Sequence, residues 1–154
     1  MAVDVGSKAP DFTLTNQDRE AVTLSGQKGR PVVLAFFPAA FSSVCTKELC
    51  TFRDSLAQLN KARAQVYGVS VDTFFTLKAF QEQQKLDFPL LSDFNKQAIR
   101  EYGVFNEDMI GLKGIAKRAV FVIDKDGIVR YREVLDDARN EPDYGKVLEV
   151  VSGL

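Results

Sequence analysis

The sequence predicts an α/β fold: one mixed central sheet with helices on both faces and a β-hairpin at the N-terminus. Two observations carry this. Val32–Phe37, Ala64–Val71 and Ala119–Ile123 are apolar runs of strand length without alternation, so they read as strands covered on both faces. Between them lie segments whose apolar residues recur at three and four positions, the spacing of a helix packed along one side. Strand, helix, strand in that order forms a crossover unit, so the first two of these strands run parallel.

The elements follow in order. Ala9–Leu14 alternates and reads as a strand, Asn16–Arg19 as a turn and Val22–Leu24 as the returning strand, a hairpin at one edge. Gly26–Pro31 is a loop into the central strand. After that strand, Leu49, Phe52, Leu56 and Leu59 mark the buried face of a helix, with Ser42 and Ser43 as good N-cap residues. Beyond Ala64–Val71, Asp72 or Thr73 caps a helix through Leu77 and Phe80 to Gln84. Phe88–Leu91 is extended, because Pro89 keeps its predecessor out of the helical region. Asn95–Tyr102 is a short helix with Gly103 as its stop. Val104–Lys117 reads as a glycine-containing loop. Arg118 opens the strand to Ile123, Asp124–Gly127 turns it, Ile128–Val134 returns, and Tyr144–Val151 closes with a helix carrying Val147, Leu148 and Val151. The turn resembles part of a calcium loop but lacks the other ligands, so a hairpin turn is the better reading. With no repeat or linker, residues 1–154 read as one domain.

Composition excludes several functions. A net charge of −1 gives no electrostatic case for nucleic acid or an anionic membrane. No apolar run approaches the ~20 residues of a membrane span. The N-terminal stretch lacks the pattern of a signal peptide, so the expected location is cytoplasmic. The chain has no histidine, which rules out Ser-His-Asp and Cys-His nucleophile pairs and histidine-based zinc sites, and its two cysteines cannot form a thiolate cage. Two cysteines in such a chain point to thiol chemistry.

Both lie in Pro38–Cys50, directly after the central apolar run. Strand, short loop and helix start place Cys45 in the first helical turn, where unpaired backbone N–H groups carry partial positive charge. A cysteine in that setting beside a cation can ionise at roughly pH 3.5–7.5 instead of about 8.5. Without imidazole, the cation has to be arginine or lysine. Taken alone, a cysteine here reads more simply as core.

The surrounding residues reverse that reading. Pro38, Ser42 and Cys45 fit the Pro-x-x-x-Thr/Ser-x-x-Cys motif, with Phe36-Phe37 before it and Glu48 after it. The stretch resembles the peroxiredoxins, thiol peroxidases on a thioredoxin-like fold. Ala9–Leu14 resembles their N-terminus. Phe88–Phe94, Tyr102–Asn106 and Arg118–Asp124 resemble the alkyl hydroperoxide reductase E branch, whereas Cys50 resembles the Q-type (bacterioferritin-comigratory) branch, in which a second cysteine follows the first by five.

The resemblance implies a peroxidase for hydrogen peroxide and organic hydroperoxides. Cys45 would be the peroxidatic nucleophile, oxidised to a sulfenic acid without a cofactor or metal. Arg118 would be the cation beside it, with Lys117 as the substitute. Ser42 would hydrogen-bond peroxide and thiolate, or cap the helix, and Pro38 would shield the site. Glu48 would help only by pairing with and aiming Arg118. Phe41, otherwise core with Phe36, Phe37, Phe105 and Phe121, is a candidate wall of the peroxide pocket. Cys50 would be the resolving cysteine. In an ideal helix, residues five apart lie roughly 8.5 Å apart at Cα. A disulfide needs less than about 7 Å, so that bond requires unwinding. The implied partners are the peroxide and a thioredoxin, a glutaredoxin-like protein or a low-molecular-weight thiol, with the chain a monomer or homodimer. The alternatives are a one-cysteine peroxidase recycled by an external thiol, and a redox-sensing or disulfide-exchange module.

Overall fold

The computed structural model describes residues 3–154, apart from the side chains of residues 56 and 57. The expected place of Leu56 on the buried helix face, and Met1 and Ala2 of the N-terminal stretch, lie outside the described residues.

The strands are β1 (Thr13–Asn16), β2 (Ala21–Thr23), β3 (Val32–Phe36), β4 (Gln65–Ser70), β5 (Leu90–Ser92), β6 (Phe105–Asn106), β7 (Ile115–Ala116), β8 (Arg118–Ile123) and β9 (Val129–Leu135). The helices are α1 (Ser43–Asp54), α2 (Leu56–Lys61), α3 (Phe74–Gln84), α4 (Gln97–Glu101) and α5 (Tyr144–Ser152). Seven strands form one sheet in the order β2-β1-β5-β4-β3-β8-β9, with β6 and β7 paired separately. β3 runs parallel to β4 and antiparallel to β8. Phe36 stands opposite Ala119, so the loop leaving β3 and the residue opening β8 emerge at the same end of the sheet. This register brings Pro38–Cys45 and Arg118 together.

The central strands alternate between two buried faces. Val33, Ala35 and Phe37 pack with Leu49 and Phe52 of α1, Leu59 of α2, Leu77 and Phe80 of α3, and Val147 and Val151 of α5. Val32, Leu34 and Phe36 pack on the other face with Phe12, Ile99 of α4, Tyr102 and Phe121. The Tyr102 hydroxyl donates to the Pro10 carbonyl at 2.6 Å, tying α4 to the N-terminal segment. The mixed sheet, the helices on both faces and the β1-β2 hairpin follow the sequence expectation.

The differences are local. The first strand starts later than Ala9, because residues 8 and 9 pair instead with the β8-β9 turn: Lys8 bridges Ile128, and Ala9 N–H donates to Gly127 O. Asn16 ends β1, and its side-chain oxygen accepts the Asp18 and Glu20 N–H groups, so the turn falls one residue later than expected. The helix after Cys45 breaks at Ser55, whose N–H is shared between the Thr51 and Phe52 carbonyls. The supposed loop Val104–Lys117 contains the β6-β7 hairpin, whose two-residue strands are too short to show periodicity. Phe105 is only half-buried and lies beneath the Arg100 guanidinium. Thr73 caps α3, and Gly103 follows α4 with φ 71°. The Asp124 carboxylate accepts the Asp126 and Ile128 N–H groups and the Arg130 guanidinium, which fits the turn reading.

Gly68 in β4 is set by close packing. A Cβ there would stand 2.7 Å from Leu90 Cδ2 and 3.2 Å from Phe37 Cε1, both in the core. Gly68→Ala is expected to destabilise the fold by about 1–3 kcal/mol in chemical denaturation, the usual penalty for overpacking.

Candidate active site

Ser42 adopts an extended backbone (φ −71°, ψ 150°), and α1 begins at Ser43, so Cys45 occupies the first turn as the sequence predicts. The Ser42 carbonyl accepts both the N–H and the hydroxyl of Thr46. Its own hydroxyl makes no capping bond, so the cap reading of Ser42 is not realised. The loop before it is held by a residue that the sequence marked only as a possible helix cap: the Asp72 carboxylate accepts the Ala40 N–H at 2.8 Å and the Ser70 hydroxyl at 2.7 Å. Phe41 adopts φ 70° and packs its half-exposed ring on Phe80 at 5.1 Å. It is neither core nor part of the cleft.

Arg118 crosses from the start of β8 to the start of α1. It is 1% exposed, although it carries a full charge. All three of its side-chain nitrogens donate to protein groups. Nη2 donates to Cys45 Sγ at 3.2 Å and to the Ala138 carbonyl at 3.0 Å, Nε to the same carbonyl at 3.1 Å, and Nη1 to Glu48 Oε1 at 3.1 Å. Lys117, the substitute cation, stays on the cleft wall. The structure thus brings Cys45, Arg118 and Glu48 into direct contact. The Ala138 carbonyl leaves no trace in the sequence, since any residue supplies one.

Glu48 is fully buried, and its Oε2 has no hydrogen-bond partner among the described residues. Burial pushes its carboxyl up to about 8; the Arg118 guanidinium pulls the other way, and Glu141 and Glu133 add to the rise. A neutral Glu48 still accepts from Arg118 without cancelling its charge. Around α1, Lys47 pairs with Glu141 at 3.0 Å, the Tyr144 hydroxyl donates to Glu141, and the Tyr144 ring meets Phe52 edge-on.

A cleft opens over this cluster, lined by Pro38, Ser42, Val44 and Arg118 on one side and by Met109 and Ile110 of the β6-β7 hairpin on the other. Cys45 lies beneath it with no exposure. Cys50 lies farther along α1, half-buried, and both cysteines are free thiols. The uninterrupted helix between them keeps the sulfurs from bonding in this conformation.

Residues 5–132 match the family model described as AhpC/TSA. The chain belongs to the AhpC/TSA family. It is 41% identical over 152 residues to the chloroplastic peroxiredoxin Q of Oryza sativa subsp. japonica, covering 99% of this chain and 68% of that one. It is 42% identical over 135 residues to alkyl hydroperoxide reductase E of Mycobacterium tuberculosis, covering 86% of each. Among solved structures, peroxidoxin BcpB of Mycobacterium tuberculosis superposes with a TM-score of 0.88 at 32% identity, over 99% of this chain and 98% of that one. A peroxiredoxin-like protein of Aquifex aeolicus gives 0.91 at 30% identity, covering 99% and 88%. The mixed resemblance read from the sequence is thus found on both sides, with the Q-type and the E-type relatives. The fold is the thioredoxin-like fold of peroxiredoxins, and the chain is an enzyme of their class, a thiol-dependent peroxidase that acts on peroxide and is reduced by thiols.

The raised Glu48 has a consequence for stability. Between the ordinary glutamate range and about 8, the folded protein holds a proton that the unfolded chain has released, so this group makes stability fall as pH rises through that window. Glu48→Gln is expected to flatten the dependence of the urea midpoint on pH between about 5 and 8. A variant with an unchanged or steeper slope would show that Glu48 is ionised in the fold.

Proposed function

We propose that Cys45 is the peroxidatic nucleophile and that Arg118 is the group that makes it one. The observation carrying this is the Arg118 Nη2 to Cys45 Sγ contact of 3.2 Å at a helix start. A thiolate of Cys45 attacks one peroxide oxygen. An S–O bond forms, the O–O bond breaks, and the departing oxygen takes a proton to leave as alcohol or water. Sulfur is oxidised to sulfenic acid and the peroxide is reduced, so no cofactor is required. The guanidinium and the first-turn amides balance the negative charge as it moves from sulfur to the leaving oxygen. Glu48 aims Arg118, Pro38 covers the sulfur, and the Ser42 hydroxyl on the cleft wall is the donor to the bound peroxide. Val44, Met109 and Ile110 give the cleft an apolar wall that suits the substituent of an organic hydroperoxide, beside hydrogen peroxide itself.

Cys50 then resolves the sulfenic acid. Its sulfur attacks Cys45, the S–S bond forms, and the sulfenic oxygen leaves as water after α1 unwinds. A thioredoxin, a glutaredoxin-like protein or a low-molecular-weight thiol returns the disulfide to two thiols. The retained helix between the cysteines supports one further reading, recycling of the Cys45 sulfenic acid directly by an external thiol.

Cys45→Ser is expected to abolish peroxide consumption, and Arg118→Met to lower the second-order rate constant about 100-fold or more in stopped-flow, the scale of losing one preorganised charge-stabilising donor. An unaltered rate in Arg118→Met would reassign the cation. Cys50→Ser is expected to form the sulfenic acid at the normal rate but no intrachain disulfide by peptide mass mapping. A sulfenic acid that decays as before in this variant would favour recycling by an external thiol.

A further inference from the structure

Residues five apart on a helix lie roughly 140° apart around its axis. Cys45 therefore faces the sheet and Arg118, while Cys50 faces away, toward the C-terminal end of α3. There one residue makes both links to α1. The side-chain Oε1 of Gln84 accepts the Cys50 S–H at 3.6 Å, and the backbone carbonyl of Gln84 accepts Arg53 Nη1 at 2.5 Å. Cys50 and Arg53 are one turn apart on the same face of α1. Gln84 ends α3, and Lys85 follows in the left-handed conformation with φ 53°. The Gln84 carbonyl thus belongs to a helix end, where carbonyls have no intrahelical donor and take one from elsewhere. Just past Arg53, α1 stops at Ser55.

We propose that Gln84 is a positioning residue for the second half of the reaction: it berths Cys50 on α3 while Cys45 is oxidised, and its release sets the rate at which the disulfide closes. This rests on the reading of Cys50 as the resolving cysteine. For the S–S bond to form, the Cys50 sulfur has to turn around the helix axis as well as approach Cys45. Its hydrogen bond to Gln84 breaks first, and α1 frees itself from α3 at Arg53. Ser55 is the hinge on the far side, so the segment that unwinds is bounded by the start of α1 and this break. The berth keeps α1 intact for the peroxide step, which needs the helix start beneath Cys45. It also lengthens the life of the sulfenic acid, which a second peroxide can carry on to sulfinic acid.

The test is stopped-flow oxidation of the reduced full chain by hydrogen peroxide. Gln84→Met removes the acceptor while keeping side-chain length and helix propensity. The phase that depends on peroxide concentration is expected to be unchanged. The following concentration-independent phase is expected to run about threefold faster, the scale of one weak S–H···O bond. The peroxide concentration that produces half over-oxidation should rise by a similar factor. Gln84→Glu keeps an acceptor and is expected to restore the slower closure. Arg53→Met removes the other link, to the Gln84 backbone carbonyl that Gln84→Met leaves in place, and should accelerate the same phase. An unchanged or slower second phase in Gln84→Met overturns the proposal. Cys50→Ser separates the two layers of inference. If the second phase vanishes there but ignores Gln84, the berth alone is wrong. If it persists there, the assignment of Cys50 is wrong and the berth falls with it.

Discussion

The structure depends on one buried guanidinium. Removing an arginine from water carries a desolvation penalty of several kcal/mol unless its donors are matched. Arg118 places four of its five N–H donors on three groups of different origin: a cysteine sulfur and a glutamate on α1, and a backbone carbonyl beyond β9. Each has to be in place before the others are useful. The antiparallel β3-β8 register sets the height of Arg118, the loop braced by Asp72 sets where α1 begins, and the chain after β9 delivers the Ala138 carbonyl. Much of the architecture at this end of the sheet can be understood as the scaffold of that single side chain.

The two half-reactions proposed for Cys45 and Cys50 place opposite demands on α1. Attack on peroxide by Cys45 would need the first turn intact, because that turn holds the sulfur against Arg118 at the positive end of the helix. Closure of a disulfide with Cys50 needs the same turns undone, since helical geometry keeps the residues too far apart. The contacts of α1 divide accordingly. Leu49 and Phe52 are buried in the core, and Phe52 is braced by Tyr144. The opposite side holds to α3 through a weak S–H bond from Cys50 and a charge-assisted bond from Arg53, and the helix is already broken at Ser55. Unwinding therefore has to release Leu49 and Phe52 from the core, Cys50 and Arg53 from Gln84, and Cys45 and Glu48 from Arg118.

What could be read from the sequence is what depends on local pattern. Apolar runs gave the buried strands, three-and-four spacing gave the helices, and Thr73, Gly103 and Gly127 marked ends and turns through chemistry that each residue type carries by itself. The pairing of Arg118 with Cys45 and Glu48 was not visible in any period, since those residues are joined only by sheet register; the family motif supplied it, and the geometry agrees. The features that were missed share a physical reason. β6 and β7 are too short to alternate, Phe41 looks like core but its backbone turns it onto Phe80, and the Ala138 carbonyl is invisible because backbone groups are the same in every residue. By sequence Asp72 and Thr73 are equally good caps; Thr73 is the one that caps α3, which leaves the Asp72 carboxylate to hold the loop after β3.

The lack of histidine gives Glu48 a particular value. A carboxylate beside Arg118 would orient it but would also screen the charge that Cys45 requires, and in a buried site that screening is strong. Burial resolves the conflict by favouring the neutral acid, with Glu133 and Glu141 adding to the effect from outside. In its protonated form Glu48 would fix the guanidinium through the 3.1 Å bond while leaving its field directed at the sulfur. A solvent-exposed acid at the same helical position would stay ionised and oppose the nucleophile. In the proposed mechanism the depth of Glu48 in the core matters, because it would separate the aiming of the cation from the cancelling of its charge.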